Sequence, residues 1–191
     1  MARCGIHGEI PTQIGNLKNL TLLALMDNRL SGPFPDVLSS LSKIERMYID
    51  SNQFTGPISR EQWAFLGQRD YAPLYRNRFT GQLPDDIGEI FSDKAKVFDV
   101  EGNQFSGTIP SSLALLSGLE WLDLSNNLFT GTIPENLTAS DTLALHGNNF
   151  TGAVPDSVCE GVNGQGGTIM FDCDGPLSCD CNCACAGDEF S

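Results

Sequence analysis

The sequence is poor in positive charge. Its 11 Lys and Arg against 24 Asp and Glu leave a net charge of −13, which makes nucleic acid and anionic membrane surfaces poor partners. Long apolar runs are also missing, so no segment reads as a helix able to cross a bilayer. The first residues, Met1-Ala-Arg-Cys-Gly-Ile-His-Gly8, have no apolar h-region and do not read as a signal peptide. Histidine is scarce, and His7 and His146 lie far apart. No Ser–His–Asp arrangement or metal-ligand spacing appears, so nothing calls for catalysis, a cofactor or a resident metal. Disorder is excluded by the 40% hydrophobic and 18% charged content, which suits a folded domain. Cysteine is nearly absent from the first 158 residues, where Cys4 stands alone.

What the body lacks is gathered at the C-terminus. Cys159, Cys173, Cys179, Cys181, Cys183 and Cys185 all lie there. So do seven acids after residue 155 (Asp156, Glu160, Asp172, Asp174, Asp180, Asp188 and Glu189), with no Lys or Arg among them. An even cysteine cluster in a short Gly-rich terminus points to disulfides in an oxidising compartment. Clustered Cys-x-Cys also suits soft metals, but three N-x-[ST] sequons, at Asn19, Asn136 and Asn149, favour secretion and hence disulfides. Six cysteines allow 15 pairings and the spacing does not choose among them.

Internal periodicity settles the fold. The pattern hydrophobic-x-hydrophobic-x-x-Asn-x-(Leu/Phe)-(Ser/Thr)-Gly occurs around Asn28, Asn52, Asn77, Asn103, Asn127 and Asn148, at spacings of 24, 25, 26, 24 and 21. After the Gly comes x-apolar-Pro, as in Phe34-Pro35 or Ile109-Pro110, with Ile58-Ser59 the one departure. Each residue type has a task. The alternating hydrophobic pair points inward from a short strand. The Asn amide satisfies turn backbone groups of its own and the neighbouring repeat, so the six should form an internal ladder. Gly permits a tight backbone, and Pro directs the return segment without needing a donor.

This pattern, over roughly residues 4–158, resembles the plant-type leucine-rich repeat, LxxLxxLxLxxNxLxGxIPxxLxxL. The resemblance implies an α/β, right-handed solenoid with a parallel β-sheet on the concave face and an irregular or 3-10 convex side. We expect a half repeat plus six repeats over 1–158, beginning in mid-coil with its N-terminus truncated, and a Cys-rich cap and tail over 159–191. Cys4 then occupies a ladder position, as a small apolar filler or the partner of a missing cap cysteine. The coil from Trp63 to Arg76 lacks the usual convex Leu spacing and has Pro73 inside its expected strand, where a ladder donor is lost. That coil reads as drift in a tolerant solenoid, or as a bulge displaying Tyr71, Tyr75 and Arg76.

Function is expected between the scaffold positions. The outward residues of successive strands bring together Arg46, Tyr48, Asp50, Tyr71, Tyr75, Arg76, Asp99, Glu101, Trp121 and Asp123. Aromatic and Arg residues favour binding hot spots, and the acids would steer a basic partner. The resemblance, which extends to receptor-like ectodomains and to diatom repeat proteins with a Cys-rich cap, implies an extracellular or cell-surface module binding a protein or peptide. Two alternatives stand beside it: inhibition of a cell-wall-degrading enzyme, and ice binding by the Ser31, Thr55, Thr80, Ser106, Thr130, Thr151 column.

Overall fold

The computed structural model describes residues 4–69, 71–91, 95–135, 137, 139, 141–164, 166–181 and 183–185. Each full coil turns its hydrophobic-x-hydrophobic segment into the concave face. Leu22–Ala24, Arg46–Tyr48, Val97–Asp99, Trp121–Asp123 and Thr142–Ala144 are strands there. Their middle residues, Leu23, Met47, Phe98, Leu122 and Leu143, are buried, as a period of two requires.

The stretch after each Asn, expected only to turn, forms strands of its own. His7–Gly8, Arg29–Gly32, Gln53–Pro57, Arg78–Gln82, Gln104–Gly107, Leu128–Gly131 and Asn149–Phe150 make a second parallel sheet of seven strands. Its Phe side chains point inward and stack. Centroids are 6.0 Å apart for Phe54–Phe79, 6.4 Å for Phe79–Phe105, 6.4 Å for Phe105–Phe129 and 6.2 Å for Phe129–Phe150.

The Asn residues tie the coils together at the corner between the sheets. Asn103 is typical. Its Oδ1 accepts from the Phe79 N–H of the preceding coil, and its Nδ2 lies within hydrogen-bond reach of the Leu74, Val100 and Glu101 carbonyls. Asn52, Asn77, Asn127 and Asn148 repeat the arrangement. Asn28 accepts from the N–H groups of Cys4 and Ile6. Cys4 itself is exposed, so it is not the core filler expected of a ladder position.

The convex side is built from 3-10 turns at Thr12–Asn16, Asp36–Ser40 and Ser111–Leu115, each directly after a proline. α-Helices replace them at Ile87–Ile90, at Asp156–Asn163 and after Ile58-Ser59. Without proline there, Ser59 caps an α-helix, Arg60–Leu66. Its Oγ accepts from Gln62 N–H while Gln62 Oε1 accepts from Ser59 N–H. This helix buries Trp63 against Phe98 and Phe105. The convex side of the Trp63–Arg76 coil is thus a wider filling of the core.

On the concave face the same coil makes no strand. Pro73 supplies no donor, so the coil keeps a bridge between Arg46 and Tyr71 and separate backbone hydrogen bonds, such as Met47 N–H to the Tyr71 carbonyl and Leu74 N–H to the Asp99 carbonyl, in place of a strand ladder. The concave sheet therefore falls into two parts, one of two strands and one of five.

The C-terminal segment does not pack as a separate unit beyond residue 158. Helix Asp156–Asn163 crosses that point, and strands Thr168–Phe171 and Cys183–Cys185 extend the five-stranded concave sheet in parallel register. Val158, Val162, Ile169 and Phe171 continue the one hydrophobic core. The cysteines pair as Cys159–Cys181, Cys173–Cys185 and Cys179–Cys183.

A concavity beside the interrupted sheet

Seven of the ten candidate binding residues meet in one place. Tyr71, Tyr75, Arg76, Asp99, Glu101, Trp121 and Asp123, with Val97, line a concavity of about 450 Å³ beside the break at Pro73. The other three lie next to it. The Tyr48 ring packs on Tyr71 with centroids 5.4 Å apart, and Arg46 is exposed opposite Tyr71. Asp50 lies beside Tyr75, and its Oδ2 accepts from the Ser51 hydroxyl at 3.4 Å. Val97 was not among the expected residues, because a valine in a strand carries no sign of ligand contact.

The acids do not form the open negative face that their outward positions imply. Asp50 is 3% exposed and Asp123 8%. Asp123 Oδ1 accepts from the Ser125 N–H at 2.9 Å and the Ser125 hydroxyl at 2.6 Å, so it serves the local turn. Glu101 is matched by Arg76 at 3.4 Å. Asp99 accepts from the Glu101 N–H at 3.1 Å. Among the described residues it has no ion-pair partner.

Arg76 sits in the left-handed region at φ 52°, as do Asp27, Ser51 and Asn126 at the same place in their coils. Gly102 and Gly147 fill that place elsewhere. These residues are the turn that swings the following Asn inward. A long side chain there is held in a sparsely populated conformation.

Burial governs the titration of the concavity. Desolvation, with Asp123, Glu101 and Asp50 close by, pushes Asp99 up to about 7 against the lowering effect of the Glu101 N–H. Burial also raises Asp50, and raises Tyr75 and Tyr71.

The sign for Asp99 follows from linkage. Its folded value lies above its unfolded one, so the native state holds the extra proton, and stability is lost as pH rises from about 4 towards and through 7. Asp99→Asn removes that loss. Chemical denaturation at pH 4.5 and pH 8 should show the variant gaining on the parent by up to about 4 kcal/mol at the higher pH, from a displacement of 3.8 to about 7. An equal difference at both pH values would show that Asp99 is not the group titrating.

The remaining candidates spread over the surface. Asn19 is exposed and its Oδ1 accepts from Lys43; Asn149 is also exposed; Asn136 lies outside the described residues. The Ser/Thr column falls on the outer face of the second sheet. Ser106 and Thr130 donate their hydroxyls to the Gly81 and Gly107 carbonyls of the preceding coils. Those hydroxyls are engaged in the coil stack, which weakens the case for an ice-binding ladder.

Two parallel sheets joined by an Asn ladder, with the variable side chains collected on one of them, give this chain the fold of a leucine-rich-repeat solenoid. Residues 94–116 and 118–139 match the Leucine Rich Repeat family. The chain is similar to receptor-like protein 41 of Arabidopsis thaliana, 32% identical over 126 residues, which is 65% of this chain and 14% of that protein. It spans about a seventh of the length of this and other curated relatives it matches. Among solved structures it is similar to the ectodomain of the receptor kinase GASSHO1/SCHENGEN3 of Arabidopsis thaliana in complex with CASPARIAN STRIP INTEGRITY FACTOR 2. That similarity has TM-score 0.73 and 28% identity, covering 94% of this chain and 23% of the other. The ectodomain of the Arabidopsis receptor kinase HAESA with an IDA peptide hormone is similar at TM-score 0.72 and 28% identity, over 94% and 29% of the two chains.

Proposed function

We propose that this chain is a non-catalytic, extracellular recognition module that binds a protein or peptide segment along its concave sheet, with the Tyr71–Trp121 concavity as its centre. The observation that carries this reading is the concavity itself. It lies on the strand face, it holds three aromatic rings and an arginine, and the coil that supplies Tyr71, Tyr75 and Arg76 to it is the one interrupted at Pro73. Aromatic and Arg side chains in a partly desolvated depression are what binding hot spots consist of.

One similar ectodomain was solved with an IDA peptide hormone, which supports a peptide-sized partner, and another with CASPARIAN STRIP INTEGRITY FACTOR 2. Three disulfides and two exposed sequon asparagines suit an oxidising exterior. Catalysis is poorly served. Asp99 and Asp123 are register neighbours, but Asp123 is buried on Ser125 and Glu101 is paired with Arg76, so both neighbouring carboxylates are engaged within the chain.

The test is selection of peptides from a random display library against the intact chain. Selected peptides should lose tenfold or more in affinity for Tyr71→Ala and for Trp121→Ala. Binders indifferent to both changes would place recognition elsewhere.

A further inference from the structure

The concavity has a floor and two walls, and the floor changes character along its length. Val97, Asp99 and Glu101 alternate outward along one coil, so the floor runs from apolar to acidic over about 13 Å. Trp121 is the register partner of Val97 on one side. On the other side the Tyr71 coil lies directly alongside, since the Leu74 N–H donates to the Asp99 carbonyl. Tyr71 and Trp121 thus stand two strand spacings apart, roughly 9–10 Å, across the small Val97 side chain. That gap admits one group of about a methylene chain's or guanidinium's thickness between two rings. Beyond Val97 the carboxyl of Asp99 is reached, and among the described residues it has no cation of its own. Glu101 is already matched by Arg76.

We propose that this slot seats a single cationic side chain, lysine or arginine, of a bound peptide: its aliphatic stem lies over Val97 between Tyr71 and Trp121, and its charged head lies on Asp99. The inference rests on the recognition reading above and narrows it to one subsite. An apolar stem with a charged tip is the one common side-chain type whose two ends match the two ends of this floor. Cation–π contact with both rings and a charge-assisted hydrogen bond to Asp99 act on the same group. The Arg76–Glu101 pair shows the chain's own version of that contact one step along. It also keeps Glu101 from drawing the ligand's charge past Asp99.

The experiment uses display-selected peptides and the whole chain at pH 8. One Lys or Arg should recur at a fixed place among the selected sequences. Its replacement by norleucine or citrulline should weaken binding about tenfold or more. Asp99→Asn should weaken the cationic peptide to a similar extent, yet leave the norleucine or citrulline peptide within about twofold, the coupling that marks direct contact. Val97→Phe, which fills the slot and leaves Asp99 in place, should also abolish the preference for a cation. Thermal unfolding of each variant verifies the fold.

Peptides that bind, depend on Tyr71 and Trp121, but show no cation, or lose equally in parent and Asp99→Asn, would overturn the seat and spare the recognition reading. No selectable binder, or binders indifferent to Tyr71 and Trp121, would overturn both.

Discussion

Asn103→Ala is expected to lower the free energy of unfolding by about 4 kcal/mol, a large fraction of what a domain of this size has in reserve. The side chain is 7% exposed. It accepts from Phe79 N–H and donates to carbonyls of its own coil and to Leu74 of the coil before. Alanine leaves a buried N–H and buried carbonyls unpaired, each costing about 1–3 kcal/mol. Asn103→Asp should be no milder, because it keeps the acceptor, loses the donors and buries a charge. Urea unfolding followed by circular dichroism measures the effect, with Asn19→Ala as the exposed control expected within about 0.5 kcal/mol of the parent. A loss for Asn103→Ala as small as that of the control would mean that the ladder is ornament and the core alone holds the coils.

Phe105→Ala should cost about 3–5 kcal/mol, the range for deleting a fully buried ring. Phe105 is fully buried and meets three other rings, with centroids at 5.8 Å for Trp63, 6.4 Å for Phe79 and 6.4 Å for Phe129. It joins the helix-borne Trp63 to the stack behind the second sheet, so nothing nearby can collapse into the space without breaking a second contact. Phe150→Ala makes the comparison. That ring ends the stack and touches one ring, Phe129, so it should cost less. Equal losses at the two positions would show that burial alone, and not position in the stack, sets the cost.

How much of this could be read beforehand depended on whether the physical signal lay in one repeat or between two. Asn103 was legible because a polar residue returning every coil at the end of a strand has few other uses. The concave strands were legible from period-two alternation. The second sheet was not. Its strands are two to five residues long, four of the seven end on glycine, and their pairing lies wholly with neighbouring coils, so a single repeat looks like a turn. Helix Arg60–Leu66 was legible in principle, since Ser59 and Gln62 are the two ends of a capping box. It was obscured because Ser59 stands where the repeat has proline.

The binding residues were found by column, but their exposure was not. Alternation assigns Asp50 and Asp123 to the outward face, and it does not register that Tyr75 and Ser125 close over them. The extension of the concave sheet by Thr168–Phe171 and Cys183–Cys185 was illegible for a further reason. It depends on which cysteines pair, and spacing does not choose.

The break at Pro73 has a mechanical meaning. One sheet runs unbroken through seven coils, while the opposite sheet is severed between Arg46–Tyr48 and Val97–Asp99. A rod reinforced along one side only flexes about the reinforced side, which acts as its neutral line. Bending at Tyr71–Arg76 is still resisted, because backbone hydrogen bonds from Met47, Ser51 and Asn52 on one side, and from Leu74 and Arg76 to the other, join that coil to both neighbours. Tyr71 stands on that irregular coil and Trp121 on a regularly paired strand beyond Val97, so an occupant between the rings bears on two supports of different stiffness.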